Sequence, residues 1–282
     1  SGHEGTARAY ASSLRSMQKY LGKKDFPFIK LSSRIISDYQ GKLLASGICD
    51  NTIGFYLHNI KALFRKGCRE MGLELPCPFR DISIKTEKTL KRSLDPVVIK
   101  TLSAIELEKD SPLSLARDIF MFSFYTRGMS FVDIALLKKR HVFPGEICYR
   151  RHKTDQLMRV GINKEISRIL ERYKNVPGEY IFPLFPAERD PYAGYRSAYH
   201  RIRYSLGKIS RVIGLEFPLR LHAARHSWAT IAKVNGASVH VIGECLGHTS
   251  EKTTRIYLKE LDHSALDAVN NQVADFILAV DD

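Results

Sequence analysis

The sequence predicts a mainly α-helical protein with one small antiparallel β-sheet, divided into two domains. Three observations carry this: apolar residues recur at three- and four-residue steps over most of the chain, only two short β-prone runs interrupt them, and a charged aperiodic stretch separates two helical blocks. In the first block, Ala7, Tyr10, Leu14, Met17 and Leu21 fall on one helical face. Ser32 or Ser33 is placed to cap a second helix carrying Ile35, Ile36, Tyr39 and Leu43. A third begins at Asp50 or Asn51, with Ile53, Tyr56, Leu57, Ile60, Leu63, Phe64 and Met71 on its apolar stripe. Lys61, Arg65, Lys66 and Arg69 line its other side, and Gly72 and Pro76-Cys77-Pro78 end it.

Residues 86–95 read as a linker between a helical domain at 1–85 and a second domain at 96–282. In the second domain helical patterns cover roughly 96–108 and 112–137. The runs 146–149 and 157–160 are β-prone and flank a basic turn, Arg150 to Gln156. Helices are expected near 164–174, 194–213, 222–234, 238–245 and 250–258, with a last amphipathic one near 263–279.

Composition narrows the partners. The net charge is +14, and residues 1–95 carry 17 Lys and Arg against 9 Asp and Glu, the remainder 27 against 21. The excess is spread over both domains rather than held in a tail, which suits a polyanion bound by both. No run approaches the ~18 apolar residues of a membrane span, and no secretory pattern opens the chain. The five cysteines are scattered and never spaced as CxxC, which argues against a disulfide framework or zinc site and fits a reducing cytoplasm.

Three pieces near the C-terminus carry chemistry. His222-Ala223-Ala224-Arg225 sets an imidazole and a guanidinium three residues apart at the head of a helix, on one face. Leu246-Gly247-His248 places a histidine after a glycine turn, and Tyr257 follows nine residues later. Each is weak alone: a surface pair, a helix cap, a core tyrosine. A tyrosine hydroxyl is a nucleophile once its proton is accepted, and an arginine is a permanently charged planar fork that can bond two oxygens of one anion.

In this order and spacing the residues resemble the C-terminal motifs of the tyrosine recombinase (phage integrase) family. Residues 1–85 look like its helical core-binding domain and 96–260 like its catalytic domain. The resemblance implies that Tyr257 is the nucleophile, Arg225 grips the phosphate, His222 manages a proton, and His248 donates to the same phosphate oxygens. Lys153, beside the turn, matches the family's β-hairpin lysine, the general acid. The family's first arginine, in a TGxRxxE-like helix start, is missing here: aligning from Asp133 puts Ser130 in its place. Arg127 lies one turn earlier if that segment is helical, where it can reach the phosphate or pair with Asp133. Arg151 lies two residues before Lys153, an arrangement similar to integrases of conjugative transposons, and is the favoured substitute.

What the resemblance implies is a cytoplasmic site-specific DNA recombinase whose two domains close around double-stranded DNA. It would cut and rejoin strands through a 3′-phosphotyrosine intermediate with no cofactor, metal or ATP. Four protomers would assemble on paired sites, and the last helix would pack on its own domain or pass to a neighbouring subunit. A type IB topoisomerase-like activity and a catalytically decayed DNA-binding protein are the alternatives. Whether an N-terminal arm-binding domain belongs before these helices is left open.

Overall fold

A computed structural model describes residues 4–85, 87, 93–185, 191–248, 250 and 253–255. Tyr257, the end of the 250–258 segment and the expected helix at 263–279 lie outside the described residues. The chain divides into two compact units, residues 1–90 and 91–282.

In the first unit the order is α1 (Glu4–Leu21), α2 (Ser33–Ala45) and α3 (Asp50–Glu70). Ser32 is the residue that caps α2, its hydroxyl accepting from the Ile35 amide. The core joins Met17, Ile36, Tyr39, Leu43, Ile53, Leu57, Ile60, Phe64 and Phe79. The predicted stripe of α1 is only partly used: Met17 is buried, whereas Ala7 and Leu14 stay exposed. Met71 lies one residue beyond α3 and is exposed as well. Tyr39, inside this core, donates its hydroxyl to Ser16 at 2.7 Å, which satisfies the polar atom that burial would otherwise strand.

The second unit is built around α5 (Pro112–Tyr125), which packs against α4 (Pro96–Ala104), α7 (Lys164–Arg172), α8 (Pro191–Val212) and α9 (Leu221–Val234). Helix α5 is apolar nearly all round, as a helix enclosed by others must be: Ala116, Ile119, Phe120, Met121 and Phe122 are all buried. Its one buried carboxylate, Asp118, is held by Arg117 Nε at 2.6 Å, Arg172 Nη1 at 2.7 Å and the Tyr173 hydroxyl at 2.9 Å. Asp95 and Ser111 cap α4 and α5, each followed by a proline at the first helical position.

The sheet is a three-stranded antiparallel meander, β1 (Val142–Phe143), β2 (Glu146–Arg150) and β3 (Leu157–Gly161). Ile147 pairs with Val160 and Tyr149 with Met158, and all four side chains are buried on the core face. The first strand, two residues long, has no pattern from which to be read. Ser227, on α9, accepts the Leu94 amide at 2.7 Å and so anchors the entry to the unit. Among the described residues no helix is long and apolar enough to cross a membrane.

One expectation fails in a way that matters. The pattern at 112–137 is not one helix: α5 stops at Tyr125, and α6 (Phe131–Ala135) begins after a break. Thr126 ends α5 by returning its hydroxyl to the Phe122 carbonyl, and Arg127 and Gly128 both take left-handed backbone, φ +58° and +73°. A left-handed pair cannot continue a right-handed helix, so Arg127 does not sit one turn back on the face of α6.

Candidate active site

The break, the head of α9 and the end of α10 (Val239–Leu246) meet at Arg225. This side chain is 5% exposed. Its Nη1 donates to the Gly128 carbonyl at 2.7 Å, and its Nη2 donates to the Leu246 carbonyl and stands 3.0 Å from His248 Nε2. Gly247 closes α10 in left-handed conformation, φ +63°, which turns the last carbonyls outward. Arg151 Nη1 donates to the next carbonyl, that of Gly247. Two guanidinium groups from distant elements therefore hold consecutive carbonyls of one turn, and the histidine after that turn is fixed between them.

The basic turn after β2 is pinned from both sides. The Arg151 amide donates to the Gln156 carbonyl at 2.9 Å, and the His152 amide donates to Asp133 Oδ1 at 2.8 Å. Asp133 Oδ2 receives the Ser130 hydroxyl at 2.6 Å. Ser130, at the place of the expected arginine, is thus the N-cap of α6 and supports the carboxylate that anchors the basic turn. The Arg127–Asp133 ion pair considered from sequence does not form. Asp133 is engaged by Ser130 and His152, and Arg127 Nη1 reaches the Arg159 carbonyl on β3 at 3.4 Å. Replacing Ser130 with alanine should cost about 1 kcal/mol, the usual loss for an N-cap hydroxyl, measurable by thermal unfolding.

Lys153 lies in the turn rather than in the sheet, with an exposed side chain. His222, on the first turn of α9, is also exposed and meets the buried His226 edge to face at 4.8 Å. Beside Arg225 a small cavity opens, lined by Ser130, Phe131, Tyr195, Tyr199 and His222 among others.

The electrostatics show how closely the groups converge. Burial, followed by the positive charge of Arg225, Arg151, Lys153 and His222, pushes His248 down to about 4. A cationic imidazole is disfavoured among so many cations, so His248 is neutral near pH 7. Tyr149, behind the site, is pushed up by burial and by Asp133, against the opposing pull of Arg151, Arg225 and Arg127. All of the sequence-predicted side chains within the described residues are therefore gathered in one electropositive region, an arrangement able to hold a phosphate. Sequence reasoning missed Gly128 and Thr254, and read Asp133 only as an alignment anchor and a partner for Arg127, not as the anchor of the basic turn. Thr254 offers only an unremarkable hydroxyl in the sequence, and Gly128 only a glycine in an apolar run. Among the described residues no group of His, Cys, Asp or Glu is placed to hold a metal ion.

The chain is similar to lambda integrase (residues 75–356) solved as a dimer bound to a COC′ core site, with a TM-score of 0.68 at 18% identity, covering 92% of this chain and 91% of that one. It is similar to the Tn1549 transposon integrase solved with transposon right end DNA, with a TM-score of 0.67 at 15% identity, covering 95% and 99%. In sequence it is 26% identical over 226 residues to tyrosine recombinase XerC of Shewanella oneidensis, covering 77% of this chain and 70% of the relative. It is 24% identical over 262 residues to XerD of Pseudomonas putida, covering 90% and 86%. Residues 93–263 match the phage integrase family and residues 1–79 the phage integrase SAM-like domain. The chain belongs to the phage integrase family, and it is a DNA-binding, strand-transferring enzyme of the site-specific recombinase type.

Proposed function

We propose that the gathered side chains cut one DNA strand and hold its end covalently on Tyr257. The observation that carries the reading is the fixing of Arg225, Arg151 and His248 around one turn, nine residues before Tyr257 in the chain. The Tyr257 oxygen bonds to the scissile phosphorus as the bond from phosphorus to the 5′ oxygen breaks. The tyrosine proton passes to His222, and Lys153 gives a proton to the departing 5′ oxygen, which leaves as a hydroxyl. Arg225 and Arg151 offset the charge developing on the phosphorane, and His248 donates to the same oxygens. Arg151 is favoured over Arg127 as the second arginine because it is bonded to the turn that carries His248, whereas Arg127 is bonded to β3.

Attack by a 5′ hydroxyl of a partner duplex reverses the step. The phosphoester energy stays in the protein–DNA bond, so no ATP is consumed. Two such rounds pass through a Holliday junction and call for four protomers on two duplexes. The apolar residues Leu266, Val269, Val273, Phe276 and Ile277 would serve packing on the same domain or on a neighbouring subunit.

The test is Tyr257→Phe on a nicked duplex that traps the covalent complex. Wild-type protein should give a denaturant-resistant adduct, and the variant should bind DNA equally well and give none. An adduct in the variant overturns the assignment of the nucleophile.

A further inference from the structure

Thr254 is not among the groups that meet the phosphate in this reading, yet it is fully buried and its Oγ1 lies 3.0 Å from His248 Nδ1. Its seat is built for it: a Cβ added to Gly243, in α10, would stand 2.9 Å from that same oxygen. The tautomer of His248 follows from its other nitrogen. Arg225 Nη2, 3.0 Å from Nε2, is only ever a donor. Nε2 therefore accepts, the ring proton is on Nδ1, and Nδ1 donates to the Thr254 hydroxyl. Burial, and then crowding by Arg225, Arg151 and Lys153, keeps the ring neutral, so it has a single proton to place.

That tautomer faces a phosphate the wrong way. A phosphate oxygen only accepts, and in the DNA-free arrangement the lone pair of Nε2 points at its own arginine. Once a phosphate draws the Arg225 guanidinium, the useful form of His248 has its proton on Nε2. Nδ1 is then an acceptor and needs a donor. A hydroxyl serves both states, because it can accept from Nδ1–H and, after rotating about its C–O bond, donate to a bare Nδ1. A backbone carbonyl or a carboxylate at this place would hold the ring in the first tautomer only.

We infer that Thr254 is a positioning residue that lets His248 change tautomer when DNA binds, from Nδ1–H held by Arg225 to Nε2–H aimed at the phosphate. The inference rests on the proposed role of His248 as a phosphate donor. The proton count is unchanged: Nδ1 releases one proton to solvent, Nε2 takes one up, and the hydroxyl turns from acceptor to donor. Thr254 stands three residues before Tyr257 in the chain, so the histidine's donor state is tied to the segment that carries the nucleophile.

The direct test is 15N NMR of histidine-labelled full-length protein carrying Tyr257→Phe, which binds DNA without reacting. His248 should show the Nδ1–H pattern alone and the Nε2–H pattern on duplex DNA. An Nε2–H ring without DNA, an unchanged ring on DNA, or a doubly protonated ring on DNA overturns the inference. In otherwise wild-type protein, Thr254→Val keeps the shape and removes the hydroxyl, and should slow single-turnover cleavage about tenfold, the worth of one buried hydrogen bond. Thr254→Ser restores the hydroxyl and should restore the rate. A valine variant as fast as the serine variant overturns the inference. Because the NMR measurement involves no cleavage, an adduct formed by Tyr257→Phe would discredit the nucleophile and leave the tautomer result to be judged by itself.

Discussion

Arg225→Lys should slow covalent cleavage by about 100- to 1,000-fold, the scale of losing a fixed donor at a developing oxyanion. The charge survives this substitution, so the loss measures geometry. Arg225 connects three parts of the site at once: the Gly128 carbonyl in the α5–α6 break, the Leu246 carbonyl at the end of α10, and His248. A planar fork spans such partners while keeping an edge for the phosphate, whereas an ammonium is a point charge on a flexible stem. A lysine that reaches one carbonyl leaves the other buried acceptor without its donor and His248 without the group that orders its ring. Cleavage on a trapping substrate, with DNA affinity measured in parallel, reads the effect. The affinity should fall far less than the rate, since phosphate contacts elsewhere on a +14 protein supply most of the binding. A lysine variant that cleaves within a fewfold of wild type would remove Arg225 from the centre of the site.

The parts of this site legible in the sequence were those set by local spacing. His222 and Arg225 lie three apart on one helix, and Gly247 must turn the chain before His248, so their relation is fixed within a few residues. The β-hairpin was legible because two short β-prone runs, one holding Ile147 and Tyr149 and the other Met158 and Val160, flank a basic turn. The break at Thr126–Ser130 was not, because the apolar residues after it continue the helical period of α5. Only tertiary contact reveals why the chain departs there: the Gly128 carbonyl is needed by an arginine 97 residues later. The substitute for the missing arginine was unreadable for the same reason. Nothing local separates Arg127 from Arg151, and only the family resemblance favoured Arg151; in the fold the two have different partners, the Gly247 carbonyl for Arg151 and the Arg159 carbonyl for Arg127. Thr254 is a plain hydroxyl in the sequence and acquires meaning from His248 and Gly243.

Gly128→Ala should be the most disruptive single-methyl change in the second unit, costing about 3 kcal/mol or more from overpacking and left-handed strain combined. The added Cβ would stand 2.5 Å from Arg225 Cγ, 2.7 Å from its Cβ and 2.8 Å from its Cα. The last of these is backbone, which cannot rotate aside, so either α9 or the α5–α6 break must move. Gly145→Ala separates the two causes. Gly145 also has a left-handed backbone, φ +84°, but nothing lies within 4 Å of its Cβ position, so it should cost only the conformational part, about 1–2 kcal/mol. At roughly 2–4 °C per kcal/mol for a unit of this size, thermal unfolding distinguishes the two variants. The functional consequence should separate them more sharply. Gly145→Ala leaves Arg225 in place and should cleave DNA normally at temperatures where it is folded. Gly128→Ala, even when folded, displaces the guanidinium from Leu246 and His248, and should lose cleavage as Arg225→Lys does. Equal losses of stability and equal activities for the two alanine variants would show that the close approach of Gly128 to α9 does not hold the arginine in place.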